Sequence, residues 1–270
     1  MFLGPTIGKL LFKLSTKSQS VVEIEGHRMV LASNGKYAPI RMAMGEYETE
    51  TTQLFRNRIK PGMSILDIGA HVGYYSLLAA SLVGPKGRVF SFEPDQDNYG
   101  LLVHNIELNG YDNITAVNQA VCDVSSSRTL FISALDNGRH SMYHQRQPES
   151  GSVTVSATTA DDYFETIGWP KIDFIKLDVE GSELDVFRGM PTLLERSLEL
   201  MIIMELNPKL LENANVVALD LLNDVMKMGF TLHRVEEDTN PIELTPGELE
   251  LLVQVLFSSG GSINLLCTKK

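Results

Sequence analysis

From residue 64 onward the chain alternates short, continuous apolar runs with helical segments, and that alternation leaves few folds open. Residues 64–69, 88–93, 114–121, 172–178, 198–206 and 230–235 read as strands, and 263–268 adds a last one. Between them, 74–83, 95–108, 183–197 and 216–228 read as helices, the first ended by Gly84-Pro85 and the second by Asn109-Gly110. Strands that are apolar throughout need cover on both faces, and a helix between successive strands makes them parallel. The expected class is α/β, with helices on both faces of a mostly parallel sheet.

Three regions depart from the alternation. Residues 128–133 and 152–157 read as strands joined by the polar stretch 134–151, so an antiparallel hairpin insertion is expected over about 128–157. Residues 236–250 hold six acidic and no basic side chains, the composition of a solvated excursion. Before the sheet, β-type runs at 21–25 and 28–32 flank Glu25-Gly26-His27, and 46–59 reads as a helix stopped at Pro61-Gly62. Further upstream, Ile7, Leu10, Leu11 and Leu14 share one helical face while Lys9, Lys13 and Lys17 share the other. Residues 1–45 are therefore expected to be a helix and hairpin appended to a catalytic domain over 46–270. The first 17 residues suit docking on that domain or contact with a membrane surface.

Charge excludes one large class of function. The chain of 270 residues has 23 basic and 34 acidic side chains, a formal charge of −11. A protein that coats nucleic-acid phosphates needs the opposite balance, so no nucleic-acid partner is expected. The charge is uneven: the first 60 residues carry a local excess of +4 and the remainder −15. The two cysteines, Cys122 and Cys267, form no zinc-ligand pattern. With no clear secretory signal they suggest a cytoplasmic protein.

Chemistry concentrates at strand ends. The first sheet strand delivers Asp67-Ile68-Gly69-Ala70-His71-Val72-Gly73 directly before a helix, where open α/β sheets bind ligands. The G-x-x-x-G spacing is not the G-x-G-x-x-G of a dinucleotide site. Asp67, two residues before the first glycine, suits a cationic ligand and would repel a pyrophosphate. The next strand ends in Phe92-Glu93-Pro94, where a carboxylate can take both hydroxyls of a ribose. A third group, Asp178-Val179-Glu180-Gly181-Ser182-Glu183, opens from a central strand into a glycine-hinged loop. Carboxylates there are costly unless used or paired, although Glu183 suits the dipole of the following helix.

Together, Glu48…Thr52…Pro61-Gly62, the Asp67–Gly73 loop with Tyr74-Tyr75, Phe92-Glu93-Pro94, and Asp173-Phe174-Ile175-Lys176-Leu177-Asp178-Val179-Glu180-Gly181 resemble the FkbM family of class I methyltransferases, over roughly residues 45–206. The resemblance implies a Rossmann-like, seven-stranded sheet with an antiparallel last strand, and S-adenosylmethionine (SAM) as cofactor. It implies that Asp67, Gly69 and Gly73 line the methionine end, that Glu93 holds the ribose, and that Ala70, His71 and Pro94 also bind the cofactor. Ala120 and Val121 would meet the adenine, Glu48 and Thr52 would close over the methionine moiety, and Asp178 would lie near the methyl group. His71 stands where the family usually has Asn.

The expected activity is O-methylation of a hydroxyl on a sugar, glycan or other small natural product. The alternatives are C- or N-methylation, or SAM binding without turnover. Asp178, Glu180 and Glu205 are the candidates to receive the hydroxyl proton; a divalent metal on the same three is the less favoured arrangement. Arg139, His140, Tyr143 and His144 in the insertion are the candidate acceptor contacts. Trp169 is expected to pack against the sheet, and Cys122 to be a small buried side chain.

Overall fold

The computed structural model describes residues 21–31, 38–235 and 241–269. The amphipathic segment over residues 1–17 and the first part of the acidic excursion lie outside these. In chain order the elements begin with β1 (Val21–Ile24), β2 (His27–Val30), α1 (Ala38–Met44), α2 (Thr49–Arg58), β3 (Ser64–Ile68), α3 (Tyr74–Val83), β4 (Arg88–Phe92) and α4 (Gln96–Asn109). They continue with β5 (Ile114–Val117), β6 (Ala120–Val121), β7 (Ser126–Ser133), β8 (Glu149–Thr158), α5 (Ala160–Thr166), β9 (Phe174–Leu177), α6 (Glu183–Arg188) and α7 (Pro191–Arg196). The last part comprises β10 (Met201–Leu206), α8 (Pro208–Asn213), α9 (Ala218–Lys227), β11 (Phe230–Arg234), β12 (Ile242–Glu243), α10 (Pro246–Ser259) and β13 (Ile263–Lys269).

The main sheet runs β12-β11-β13-β10-β9-β3-β4-β5. β3, β4, β5, β9 and β10 pair in parallel, and β13 inserts antiparallel between β10 and β11. This is the expected Rossmann-like sheet with its antiparallel last strand; the two-residue β12 adds an eighth, at the edge. Strand order reverses at the β3–β9 boundary, which opens a crevice beyond the carboxyl ends of the strands.

Alternation along the strands explains where the polar groups of the site arise. One face carries Leu66, Ile68, Ile175, Leu177, Ile202 and Met204, and is buried throughout against α5–α7, α9 and α10. The opposite face begins apolar, with Ile65, Phe174 and Ile203 packed on Leu54, Phe55 and Leu77 of α2 and α3. Two residues further along each strand, the same face presents Asp67, Lys176 and Glu205. The register sets Asp67 beside Lys176 and Glu205 beside Asn264. An apolar face thus turns polar in its last row.

Several expected elements change. The strand foreseen over 114–121 divides: Asn118 turns its amide onto the carbonyls of Glu93 and Pro94, and Ala120–Val121 leaves the main sheet to pair with β8. The single helix over 183–197 becomes α6 and α7, separated at Gly189-Met190, where Pro191 starts the second. The acidic stretch is not merely a solvated excursion. Thr245 and Glu248 form a reciprocal capping box that starts α10. Helices α1, α5 and α8 also lie where no helix was expected. The hairpin insertion forms as foreseen, β7 antiparallel to β8, but it is longer at both ends.

The β1–β2 hairpin is fastened to α4 through side-chain amides. Asn105 takes the Val30 N–H and returns a bond to the Val30 carbonyl, and Asn109 does the same with Arg28. Ile24 and Met29 join the cluster between the sheet and α2–α4. Trp169 packs at the edge of the other cluster with the Arg196 guanidinium 4.8 Å above its ring. Among the described residues no helix is long and apolar enough to cross a membrane.

Candidate active site

The crevice forms one cavity of about 930 Å³. Its walls bring together residues from the ends of β3, β4, β6, β9, β10, β11 and β13, the α1–α2 segment and the insertion. Of the expected cofactor contacts, Glu48, Asp67, Gly69, Ala70, His71, Glu93, Pro94, Ala120 and Val121 all line it, as do Asp178, Glu180, Glu205, Arg139 and His140.

Four expected residues do not. Thr52 is buried behind the wall, its hydroxyl 3.0 Å from the Tyr74 hydroxyl. Gly73 faces α4, where a Cβ would come within 2.8 Å of Leu102. The Tyr143 hydroxyl donates to Asp185 at 2.5 Å. His144 stacks on Phe131 at 3.8 Å and reaches Glu149, with its side chain largely exposed. The last two brace the insertion rather than facing the cavity.

Gly69 also differs in its reason. With φ +82, an added Cβ would fall 1.8 Å from the Asp178 carbonyl oxygen. The glycine lets the loop after β3 cross the end of β9, and so keeps two halves of the site together. Cys122 is buried, with its thiol pushed up to about 11 chiefly by burial, and does not line the cavity.

Asp67 is 1% exposed. Its Oδ2 accepts the Ser76 hydroxyl at 2.6 Å and its Oδ1 has no hydrogen-bond partner. Lys176 supplies the compensating charge. It is buried, donates to Asp178 at 2.7 Å, and lies 4.8 Å from the Tyr75 ring centre. Burial alone would lower the Lys176 pKa, but Asp178, Glu48 and Asp67 together raise it, so the ammonium keeps its proton. Lys176 was not among the expected site residues, although a lone Lys in the apolar run Phe174-Ile175-Lys176-Leu177 was a visible signal.

Glu93 ties two loops. It accepts the His71 N–H at 2.8 Å and the Asp95 N–H at 2.9 Å. Burial nonetheless pushes its pKa up to about 8. Glu48 accepts from the Tyr75 hydroxyl at 2.9 Å and from Asn264 at 3.0 Å, joining α2, α3 and β13. Glu48, His71 and Glu180 all have positive φ, between 41° and 52°. Strained backbone of this kind persists where surrounding contacts hold it, and here all three line one cavity. The left-handed turn also accounts for position 71, since Asn and His are among the side chains that tolerate it.

Asp178, Glu180 and Glu205 place oxygens within 4.8 Å of one another. Three negative charges so close cannot all persist in a half-buried site. The Glu180 carboxyl is held well above its ordinary range, first by burial and then by Glu205 and Asp178, with Arg139 opposing. Glu205 is pushed up to about 8, again by burial first and Asp178 next. Such a group can exchange a proton near neutral pH.

The same shifts give a stability prediction. Glu93 and Glu205 have folded-state pKa values above the ordinary 4.5. Their contribution is therefore fully present below the unfolded value and is lost as pH rises through about 8. The urea midpoint of the cofactor-free protein is expected to fall between about pH 5 and pH 8.5, and Glu205→Gln to flatten that fall. A midpoint rising across this window in both proteins would contradict the assignment.

The mostly parallel sheet with a crevice at its switch point defines a Rossmann-like α/β protein. A family model for the methyltransferase FkbM domain matches residues 67–231, and the chain belongs to that family of SAM-dependent methyltransferases. It is 25% identical over 182 residues to the hexuronic acid methyltransferase AglP of Haloferax volcanii, spanning 66% of this chain and 71% of that protein. It is 27% identical over 157 residues to the methyltransferase sdnD of Sordaria araneosa, spanning 47% and 60% respectively. Among solved structures, the precorrin-6y C5,15-methyltransferase from Geobacter metallireducens matches with a TM-score of 0.46 and 13% identity, over 83% of this chain and 89% of that one.

The residues present suit SAM. Glu93 offers the cavity a carboxylate that could accept ribose hydroxyls, Ala120 and Val121 offer small apolar side chains that would border a base, and the acidic lining suits a sulfonium cation.

Proposed function

We propose that the protein transfers a methyl group from SAM to a hydroxyl of a small polyhydroxylated acceptor, most simply a sugar. The observation that carries this reading is the cluster of Asp178, Glu180 and Glu205 at the ends of β9 and β10, beside the cofactor crevice. A hydroxyl is a poor nucleophile until its proton has somewhere to go, and this cluster can receive it. The name of the archaeal relative, a hexuronic acid methyltransferase, is consistent with such an acceptor.

In this reading SAM supplies the electrophilic methyl carbon. Glu93 binds the ribose hydroxyls and Ala120 and Val121 border the base. Asp67, Gly69, Ala70, His71 and Glu48 surround the methionine end, and Asp178 faces the sulfonium side of the crevice. Glu180 or Glu205, whichever is deprotonated, accepts the hydroxyl proton as the oxygen attacks. Arg139 and His140, on the rim of the same cavity, hold the acceptor and suit one that carries an anionic group. In this reading protons shared by the carboxylates balance their charge in place of a divalent metal.

Incubation with methyl-labelled SAM and a panel of neutral and acidic sugars, glycolipids and polyketides, followed by mass spectrometry, tests this. The label is expected on an oxygen, with turnover unchanged by EDTA. Label on carbon or nitrogen, or tight SAM binding with no product across the panel, would overturn the proposal. Activity lost to EDTA and restored by a divalent ion would replace proton balance by metal binding.

A further inference from the structure

From the hairpin insertion the Asn137 side chain reaches His71 on the cofactor side of the cavity, and a chain of hydrogen bonds determines which atom of each partner is which. The Asn98 amide nitrogen donates to the Asn137 backbone carbonyl at 2.9 Å. That fixes the orientation of Asn98, so its Oδ1 must be an acceptor. The Asn137 atom 2.8 Å from this oxygen must then be the nitrogen, Nδ2. The same nitrogen lies 2.7 Å from His71 Nε2. An amide nitrogen has only hydrogens to offer, so Nε2 accepts and the imidazole proton sits on Nδ1.

His71 is pushed down to about 4, burial being the main cause, against the weaker upward pull of Asp136, the Asn137 hydrogen bond and Asp178, with His140 opposing them. It is neutral near pH 7. Its backbone N–H is already committed to Glu93. Asn137 is 5% exposed and its Oδ1 has no partner, the consequence of turning the nitrogen toward both acceptors. Further along the insertion, the Ser141 hydroxyl donates to the Glu180 carbonyl at 2.8 Å. One loop therefore contacts the glycine-loop wall at one end and the carboxylate cluster at the other.

We propose that Asn137 is a positioning residue that fixes His71 as the Nδ1–H tautomer, so that the insertion completes the cofactor site. The inference rests on the reading of His71 as a cofactor contact. With Nε2 and the backbone N–H engaged, Nδ1–H is the one polar hydrogen His71 has left for a cofactor oxygen. An Asn at this position would donate from its own amide; a His needs a partner to decide which nitrogen carries the proton. Asn137 is that partner, and binding of SAM and seating of the insertion are thereby coupled.

The test uses the full chain labelled with ¹⁵N-histidine, with His71 signals assigned by their loss in His71→Asn. Two-bond ¹H–¹⁵N correlations are expected to show Nδ1–H in the wild type at pH 7. Asn137→Asp offers only an acceptor and is expected to move the proton to Nε2; Asn137→Ala is expected to give mixed tautomers. Unchanged His27 and His233 signals report that each variant is folded. In calorimetry both variants are expected to bind S-adenosylhomocysteine about tenfold more weakly, the effect of one lost hydrogen bond. In the His71→Asn background, Asn137→Ala is expected to cost much less. An Nε2–H tautomer in the wild type overturns the relay, and so does an Asn137→Ala variant with tautomer unchanged. A tautomer that moves while affinity does not overturns the link to the cofactor. Failure of the wild type to bind S-adenosylhomocysteine at all would instead remove the reading of the cavity itself.

Discussion

Glu180→Gln is expected to lower kcat by about 10²-fold or more, the usual contribution of a positioned acid–base group. Affinity for S-adenosylhomocysteine should hardly change. The substitution keeps the shape and hydrogen-bonding reach of the side chain and removes its capacity to take a proton. Glu180 is the better probe than Asp178, because Asp178 also holds the Lys176 ammonium at 2.7 Å. Asp178→Asn would leave a buried cation short of a partner and confuse catalysis with stability. Glu180 has Arg139 as its electrostatic counterweight, and Arg139 is exposed to water. Steady-state kinetics with calorimetry on the same preparation separates the two effects. Full activity in both Glu180→Gln and Glu205→Gln would sink the proposal that this cluster receives the hydroxyl proton.

Lys176→Met is expected to destabilise the protein by about 3–5 kcal/mol, the range found when one partner of a buried ion pair is removed. The Lys176 side chain is 4% exposed and lies between Asp178 and Asp67. Asp178 is 25% exposed and can regain water when the ammonium is lost. Asp67 cannot, since only Ser76 bonds to it and its Oδ1 has no partner. Met fills nearly the same volume, so the loss measured by urea denaturation reports the charge and not a cavity. Adding Asp67→Asn should recover a substantial part of the stability, because it removes the charge left stranded. A single variant within about 0.5 kcal/mol of wild type, the range of ordinary surface changes, would mean that Lys176 does not balance these carboxylates.

The two experiments address one physical arrangement. The face of the sheet that packs α2 and α3 ends in a polar row, and burial raises the pKa of Glu205 in that row and of Glu93 at the end of β4. Lys176 neutralises the row on the β3–β9 side. On the β10 side Glu205 is acted on by burial and by the Asp178, Glu183 and Glu48 carboxylates, opposed by a hydrogen bond from Ser262, and in the proposed reading a proton takes the part of the cation. A carboxylate that exchanges a proton near neutral pH, and lacks it when the hydroxyl attacks, is the kind of group a hydroxyl acceptor requires.

Much of this was legible without coordinates, and the exceptions share a cause. The glycine loop, Phe92-Glu93-Pro94 and the block from Lys176 to Gly181 are contiguous, and their place at strand ends follows from apolar runs that stop beside them. Helix α10 is hidden by its acidic surroundings, whose composition suggests solvation. The signal of a helix start, Thr245-Pro246-Gly247-Glu248, was present. The break between α6 and α7 was likewise marked by Pro191. For Asn137 no such signal exists: one polar residue in a polar loop looks like its neighbours until its partners are known. Tyr143 and His144 show the converse, since residue types that suit an acceptor face Asp185, Phe131 and Glu149 instead.

What the amino-acid sequence determined by itself was the alternation of strands and helices and the polar residues at the strand ends, because each depends on residues adjacent in the chain or repeating at a regular interval; the class of cofactor followed from the family resemblance that those residues carry. Pairings between distant residues were decided only by the tertiary structure. Asp67 meets Lys176, 109 positions away, through strand register, and His71 meets Asn137 because the insertion folds back over the crevice. Hydrogen bonds and charge compensation act over a few ångströms in space, and no spacing along the chain states which groups come that close.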